Sequence, residues 1–261
     1  MATDNLTSES LFPEGVAVVV GGSGGVGRSI CLALAQAGTS LVITYRTNQE
    51  KAHEVLDEVT QWGGEGWIES LDVENKEGTR IVFERIQDEY GPIHTVVYAA
   101  GPAIGQPYIS QVTAQQWSSV MQSDVNGFFH VVSATLLALR QTQGSLVAIS
   151  SAGLYRYPAG DMLSVVPKGA IEALVRGIAH EEGRYGVRAN CVALGVIEAG
   201  MFFRLKQEVF SYDWLEAAKN NTPLKRFGTG QEVAKAVVFL ASNNAGFITG
   251  QTLMLDGGYS I

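Results

Sequence analysis

The sequence has few cysteines, no long apolar run and little charge. Cys31 and Cys191 are the two cysteines among 261 residues; they lie far apart in apolar surroundings, which predicts reduced, buried thiols and no metal site. No apolar stretch is long enough to cross a bilayer, and the polar start MATDNLTSES lacks the apolar core of a signal peptide. We therefore expect a cytoplasmic protein that does not bind membranes.

Positive charge is scarce as well. The chain has 18 Lys and Arg against 26 Asp and Glu, a formal net charge of −8, and only 17% of its residues are charged. Nucleic-acid binding needs a basic surface, so this balance argues against a nucleic-acid partner. Hydrophobic residues make up 46% of the chain, which is ample for a large core.

Short β-branched runs alternate with longer amphipathic stretches along the chain. Apolar runs with little alternation are typical of strands covered on both faces, and strand–helix alternation implies right-handed crossovers. We predict an α/β fold, a single doubly wound parallel sheet with helices on both faces. Strands are predicted at 16–20, 40–45, 65–71, 93–100, 145–151, 187–194 and 252–258, and helices at 26–37, 48–61, 75–89, 113–141, 165–184 and 231–242.

One segment, 196–223, interrupts this alternation after the sixth strand. It is rich in aromatic residues and follows the carboxyl end of a strand, where open sheets bind ligands. We predict a substrate-covering insertion, with a plain packing insertion as the alternative. Residues 1–12 are predicted to be a flexible N-terminal segment ahead of one domain at 13–261.

A glycine-rich loop, VGGSGGVGRSI, follows the first strand directly. Glycines permit positive φ and a close approach of the backbone, and the helix that follows offers N–H groups to a diphosphate. The spacing fits Gly22-x-Gly24-x-x-Gly27 and also Gly21-x-x-x-Gly25-x-Gly27. The sequence thus predicts a dinucleotide phosphate site, and a glycine-rich turn without a ligand is the alternative.

The residues after the second strand select the cofactor. An NAD site usually places an acid there against the ribose 2′-hydroxyl, but this chain has Tyr45, Arg46 and Thr47, with no carboxylate until Glu50. A guanidinium suits a 2′-phosphate because its planar fork makes bidentate bonds. We predict NADPH in preference to NADH; the alternative is an exposed Arg46 that only improves solubility.

Motifs across nearly the whole chain resemble the short-chain dehydrogenase/reductase family. VGGSGGVG looks like the family's TGxxxGxG loop, LDV like the segment whose acid contacts adenine, YAAG like NNAG, and ISSAG like the motif with the catalytic serine; RANCVALGVIEAG and ITGQTLMLDGG are also similar. The resemblance implies an NAD(P)-binding Rossmann-type domain. It also implies these cofactor contacts: Gly21, Ser23, Gly24, Gly25, Val26, Gly27, Tyr45, Arg46, Thr47, Asp72, Val73, Ala99, Ala100, Gly101, Lys168 and Ile197.

The catalytic residues depart from the family's Asn-Ser-Tyr-Lys set. Ser151 and Lys168 match, but Ser164 stands four residues before the lysine, where the family has tyrosine as its general acid. Asp124 stands at the asparagine position, and Asn126 lies two residues further on. Asp124 is expected to bond the Lys168 ammonium directly or through water; the alternative is an ordinary helix residue.

Ser164 also has a structural explanation. A helix with Ser164 as its N-cap would place Pro167 at its third position, where no N–H partner is required. A direct chemical role for Ser164 is the alternative. The segment after the sixth strand departs from the family as well, because Leu194 and Ala199 replace its proline and threonine, where the family holds the nicotinamide amide.

Three candidates for the missing proton donor precede Ser164 in the chain. Tyr155 and Tyr157 lie on the loop that lines the family's substrate site; the alternative is that they are packing aromatics. Asp161 stands where enoyl-carrier-protein reductases of the family have the tyrosine of Tyr-x6-Lys. It qualifies as a proton donor only if burial raises its pKa well above about 3.9, and otherwise it is a solvated turn residue.

The resemblance is strongest to two branches, the enoyl-carrier-protein reductases and the dienoyl-CoA reductases, which both reduce a C=C bond conjugated to a thioester. We therefore predict an NADPH-dependent oxidoreductase for such a bond or, as the second choice, for a carbonyl. Proton transfer, dehydration or cyclisation without redox chemistry is an alternative, and a non-catalytic subunit is another. The resemblance further implies a small-molecule substrate, a CoA or carrier-protein thioester, and a homodimer or homotetramer built through helices 113–141 and 165–184.

Overall fold

The computed structural model describes residues 10–102, 104–208 and 210–261. Most of the predicted N-terminal segment, residues 1–9, lies outside the described residues. The end of that segment belongs to the core: Phe12 is 4% exposed, its ring centroid lies 5.5 Å from that of His94, and Asn243 N–H donates to the Leu11 carbonyl at 2.9 Å. The folded domain thus begins before residue 13, because an apolar aromatic ring fills the core at residue 12.

One parallel sheet organises the described chain. Its strands and two shorter ones are β1 (Val16–Val20), β2 (Ser40–Tyr45), β3 (Gly66–Ser70), β4 (Ile93–Tyr98), β5 (Ser145–Ser151), β6 (Arg188–Leu194), β7 (Ile197–Glu198), β8 (Gly228–Thr229) and β9 (Thr252–Leu255). Seven of these pair in the order β3-β2-β1-β4-β5-β6-β9, all parallel, while β7 and β8 pair with each other. The predicted fold class is confirmed.

Helices cover both faces of the sheet. They are α1 (Gly25–Gln36), α2 (Gln49–Gln61), α3 (Lys76–Tyr90), α4 (Ala114–Val120), α5 (Gly127–Thr142), α6 (Met162–Glu182), α7 (Met201–Glu208), α8 (Tyr212–Asn220) and α9 (Gly230–Ala241). In the part of the chain that the structure describes, no helix combines the length and the apolarity that a membrane span requires.

The strands are apolar on both sides because each side faces a separate core layer. Along β1, Val16, Val18 and Val20 pack with α3, α5 and α6, whereas Ala17 and Val19 pack with α1, α2 and α9. Successive side chains of a strand point to opposite faces, so a strand between two helical layers must be apolar at every position. This arrangement explains the absence of apolar–polar alternation in the sequence.

The strand order places a crevice at one end of the sheet. The chain passes from β1 through α1 to β2 on one side, and β4 lies on the other side of β1. Beyond the carboxyl ends of β1 and β4 the connections therefore diverge, and open α/β sheets bind ligands at such a switch point.

Most predicted bounds differ from the structure by one or two residues, and three predictions are wrong by more than that. The helix predicted at 113–141 is divided into α4 and α5 by a π-helical segment, Met121–Asn126. The helix predicted at 165–184 begins earlier, at Met162, after Gly160 turns the chain with φ +81°. The strand predicted at 252–258 ends at Leu255, because the chain turns at two glycines with positive φ, Gly257 and Gly258.

Candidate active site

The glycine-rich loop turns sharply between β1 and α1. Gly21 has φ +81°, and a Cβ on it would lie 2.9 Å from Ala100 Cα. A Cβ on Gly27 would lie 2.1 Å from the Gly21 carbonyl oxygen, so only glycine allows the first turn of α1 to approach the loop this closely. No side chain caps α1 at Gly24. The N–H groups of the first helical turn are thus available to an anion.

A cavity of about 250 Å³ opens beside this loop, at the switch point of the sheet. Ten of the residues predicted to bind the cofactor line it: Gly21, Ser23, Gly24, Tyr45, Arg46, Thr47, Val73, Ala99, Ala100 and Gly101. The lining brings together residues that follow β1, β2, β3 and β4, and its glycines leave room for backbone contact with a ligand. These features fit a dinucleotide.

The other residues predicted to bind the cofactor lie outside this lining. Gly25, Val26 and Gly27 form the first turn of α1. Asp72 is exposed, and its Oδ1 accepts the backbone N–H of Glu74 at 3.1 Å. The Ile197 side chain is buried in the core below β7, so Ile197 can offer a ligand only its backbone.

A buried ion pair joins Lys168 on α6 to Asp124. Lys168 Nζ lies 3.0 Å from Asp124 Oδ1, and the two side chains are 12% and 3% exposed. Asp124 reaches the lysine from the π-helical segment 121–126, which buries Asp124 but leaves Asn126 exposed, where Asn126 Nδ2 donates to Gln122 Oε1. The predicted direct contact between Asp124 and Lys168 is thus present.

Ser151 ends β5 at the same edge of the sheet. Its Oγ accepts the backbone N–H of Gly153 at 3.1 Å, which begins a single helical turn at Ala152–Leu154. Because the Oγ acts there as an acceptor, its own proton can be donated to a further oxygen. The preceding residue, Ser150, points to the opposite face of β5 and donates to Glu172 on α6.

The N-cap role predicted for Ser164 is wrong. Helix α6 begins at Met162 with Asp161 at the N-cap position, so Ser164 lies inside the first turn. The Asp161 carbonyl accepts the N–H groups of both Ser164 and Val165, at 3.1 and 2.9 Å. Pro167 is consequently accommodated inside the helix, where its missing N–H costs a hydrogen bond.

Asp161 meets the condition set for a proton donor. Its carboxyl does not cap α6, and burial raises its pKa to about 6, although a hydrogen bond from the Gln106 side chain opposes that shift. Asp161 is half-buried and its carboxyl is hydrogen-bonded by Gln106 on the loop after β4, so the alternative of a solvated turn residue does not describe it. Gln106 was not predicted, and no sequence motif points to it.

The two tyrosines of the loop have different surroundings. Tyr155 OH donates to Glu172 Oε2 at 2.8 Å, and burial, opposed by Thr252 and supported by Glu172, raises the pKa of the phenol. Both side chains are half-exposed, Tyr155 at 51% and Tyr157 at 49%, so the tyrosines differ in the hydrogen bond of Tyr155 and not in exposure. Glu172 itself is 3% exposed and was not predicted; the signal was its position four residues after Lys168, on the buried side of an amphipathic helix.

The insertion 196–223 forms α7, α8 and an aromatic cluster. Phe202 is buried, and its ring centroid lies 5.3 Å from that of Phe227, while Phe210 stacks on Trp214 at 3.7 Å. Arg204 Nη2 donates to the Ile104 carbonyl at 3.4 Å. These contacts join the insertion to the loop after β4. Its role as a substrate cover stays a prediction.

Comparisons with known proteins agree with this architecture. A family model described as enoyl-(acyl carrier protein) reductase matches residues 20–260. The chain is 33% identical to 1-cyclohexenylcarbonyl-CoA reductase of Streptomyces collinus, over 94% of this chain and 87% of that protein. It is 31% identical to the 3-oxoacyl-[acyl-carrier-protein] reductase FabG of Staphylococcus aureus (strain Mu50), over 93% of this chain and 96% of that protein.

A solved structure shares the fold over most of its length. A short-chain type dehydrogenase/reductase from Mycobacterium ulcerans superposes with a TM-score of 0.89 at 28% sequence identity. The superposition covers 95% of this chain and 90% of that one.

Proposed function

Because the chain belongs to the short-chain dehydrogenase/reductase family of NAD(P)-dependent oxidoreductases, we propose that it is an NADPH-dependent reductase of a C=C bond conjugated to a thioester. The matching family model and the Streptomyces collinus relative both carry names of enoyl-thioester reductases, which supports the reaction class. The proposed substrate class is an enoyl or dienoyl thioester carried by CoA or by a carrier protein.

Different residues of the site would bind different parts of the dinucleotide. The Gly21–Gly24 loop and the first turn of α1 would bind the diphosphate, and Arg46 would bind the 2′-phosphate. Lys168, fixed by Asp124 at 3.0 Å, would bond the nicotinamide ribose. When bound, the reduced nicotinamide supplies the hydride that the β-carbon of the substrate receives.

The carboxyl of Asp161 carries the proposal. Addition of hydride to the β-carbon leaves negative charge on the thioester oxygen, and that charge needs a hydrogen-bond donor. With a pKa of about 6, Asp161 holds a proton in a pH range where an ordinary aspartate is ionised. It lies seven residues before Lys168, two helical turns away and therefore on the same side of α6. We assign Asp161 to donating its proton to the thioester oxygen of the enolate and Ser151 to a second hydrogen bond there. The resulting enol would then gain a proton from water at the α-carbon and return the oxygen-bound proton to the Asp161 carboxylate, which gives the saturated thioester.

The remaining hydroxyls receive other roles. The Tyr155 hydroxyl donates a hydrogen bond to Glu172, so we assign Tyr155 to holding the loop 152–161 against α6. Tyr157 and Ser164 line the approach to Asp161 without carrying the proton. The insertion 196–223 would cover the acyl chain, with its aromatic cluster on the apolar part of the substrate.

The test combines turnover with single substitutions. Purified protein is incubated with NADPH and crotonyl-CoA while nicotinamide absorbance is followed, and the product from deuterated NADPH is examined for label at the β-carbon. We expect Asp161→Asn to lower kcat by about 100-fold or more, as the loss of a general acid does, and Tyr157→Phe and Ser164→Ala to change it by less than about 3-fold.

Carbonyl reduction is the second candidate, since the FabG relative is named for reduction of a 3-oxoacyl group. Oxidation of NADPH by acetoacetyl-CoA but not by crotonyl-CoA would favour it over the reduction of a C=C bond. Failure of the protein to bind either NADPH or NADH would contradict both candidates. If Asp161→Asn kept full activity while Tyr157→Phe lost it, the proton donor would be Tyr157.

The setting of this activity is the cytoplasm, with the chain assembled as a homodimer or homotetramer. Helix α5 exposes Phe129 and Leu137, which are 51% and 68% exposed, and α6 exposes Val166 and Ala173. Apolar side chains at the surface of paired long helices suit a symmetric helical interface. Light scattering should give two or four times the mass of one chain, and a monomer would contradict this assembly.

A further inference from the structure

We propose that Glu74 sets the cofactor preference by competing with a 2′-phosphate for the Arg46 guanidinium. The inference rests on the proposed NADPH site. Arg46 Nη1 lies 3.2 Å from Glu74 Oε1. Arg46 follows β2 and lines the cavity, whereas Glu74 follows β3, the neighbouring strand. No acid follows β2 directly, where NAD sites usually have one. Glu74, which follows β3, instead places a carboxylate beside Arg46.

The backbone fixes Glu74 independently of the ion pair. The Glu74 N–H donates to Asp72 Oδ1 at 3.1 Å, and the next N–H, of Asn75, donates to the Asp72 carbonyl at 3.1 Å. Asn75 in turn is the N-cap of α3, where its side chain accepts the Gly78 N–H. Glu74 is therefore held between the end of β3 and a capped helix, and a change of its side chain leaves this turn in place.

The carboxylate of Glu74 also contributes to the electrostatics of the neighbouring core. Together with burial and with Asp124, it raises the pKa of Tyr98, the last residue of β4. Glu74 is half-buried next to Val73, which like Leu71 lies just after β3 and lines the cavity. A negative charge in this place opposes a 2′-phosphate and can accept a hydrogen bond from a 2′-hydroxyl.

Two ligand groups thus compete at one arginine. NADPH must separate Arg46 from Glu74 or share the guanidinium with it, whereas NADH leaves the pair intact. Coulomb repulsion between partly exposed charges a few ångströms apart amounts to about 1 kcal/mol, which corresponds to about a 5-fold change in affinity. The chain should consequently prefer NADPH only modestly, and removal of the Glu74 charge should sharpen that preference.

The experiment measures dissociation constants by calorimetry for NADPH, for NADH and for 2′,5′-ADP as a probe of the phosphate subsite. The variants are Glu74→Gln, Arg46→Gln and the double variant. Glu77→Gln is the matched control, because Glu77 lies on the first turn of α3 and pairs with Arg80 instead. The salt bridge is exposed enough that Glu74→Gln should fold as the wild type does.

We expect Glu74→Gln to bind NADPH and 2′,5′-ADP about 3- to 10-fold more tightly and NADH no more tightly than the wild type. The gain should shrink at high salt and be smaller in the Arg46→Gln background, where only the direct repulsion between Glu74 and the 2′-phosphate remains. Unchanged NADPH binding by Glu74→Gln, or an equal gain in Glu77→Gln, would overturn the role of Glu74. If the wild type bound neither NADPH nor NADH, the result would contradict the proposed function itself and not only the role of Glu74.

Discussion

Lys168 keeps its ammonium in a buried pair with a carboxylate instead of beside a phenol. An opposite charge at 3.0 Å partners the ammonium, and Ser164 stands where the family has its tyrosine. Because an aliphatic hydroxyl is a far weaker acid than a phenol, the proposed chemistry needs another proton donor. The serine at position 164 and the acid at position 124 are therefore connected at the level of charge: this site holds its lysine by an ion pair, and Asp161 is the proton source that we propose.

Asp124 offers the sharpest test at the scale of one residue. Asp124→Leu leaves the Lys168 ammonium buried without its partner and should destabilise the protein by about 3 kcal/mol. Asp124→Asn still offers an oxygen to the lysine and should cost about 1 kcal/mol. Urea unfolding measures both. Equal stability of the leucine variant and the wild type would contradict a structural role for the pair.

Some site residues could be read from the sequence and others could not. The Gly21–Gly27 loop and Arg46 follow from chain order, because each comes directly after a short strand that is rich in β-branched residues. The choice between Asp124 and Asn126 depends on the π-helical turn at 121–126, which rotates one side chain inward and the other outward. Single-residue spacing could not reveal that rotation.

At the scale of elements, Glu172 ties three parts of the fold together. Its carboxylate accepts three hydrogen bonds from hydroxyl groups: from Ser150 on β5, from Tyr155 on the loop that follows, and from Thr252 on β9. Arg176 on the same helix lies 3.8 Å away. The carboxylate is 3% exposed, so α6 is joined to the edge of the sheet through a polar contact inside an otherwise apolar layer.

Removal of this carboxylate should loosen the loop as well as the helix. Glu172→Ala leaves three hydroxyl groups without their acceptor and should lower the free energy of unfolding by about 3 kcal/mol. Glu172→Gln retains an acceptor oxygen and should cost less than half as much. Urea unfolding of both variants, compared with Tyr155→Phe, tests the network; an alanine variant as stable as the glutamine variant would refute it.

The pattern of elements was predictable because it depends on periodicity alone. Strands β1, β2 and β5 begin and end where their β-branched runs do. The start of α6 was not predictable, since Pro167 favours a helix start nearby, whereas the chain begins the helix at Met162 and accommodates the proline inside it. Contacts of α6 with β5 and β6 outweigh that local cost.

At the scale of the whole molecule, two buried groups make stability depend on pH in opposite directions. Burial lowers the pKa of His94 from 6.5 to about 4, so the folded state resists a proton that the unfolded state accepts, and stability rises from pH 4 to 6.5. Burial raises the pKa of Asp161 from 3.8 to about 6, so the stability that its protonated form contributes below pH 3.8 is lost as the pH rises through 6.

Single variants should therefore reveal slopes that nearly cancel in the wild type. In Asp161→Asn, where the lowered pKa of His94 is retained, stability should rise by about 3 kcal/mol between pH 4 and 6.5. His94→Gln should instead lose about 2 kcal/mol over that range, a value reduced for the partial exposure of Asp161. Urea unfolding across the range measures both slopes, and parallel curves for the two variants would contradict these assignments.

The sequence by itself determined the doubly wound sheet, the phosphate loop and the burial of Cys31 and Cys191, because these follow from local periodicity and from glycines beside a strand. Only the tertiary structure decided that Asp124 pairs with Lys168, that burial raises the pKa of Asp161, and that Glu172 accepts the hydrogen bond of Tyr155. Those outcomes depend on burial and on contacts between residues 17 to 44 positions apart, and such contacts exist only once the layers have packed.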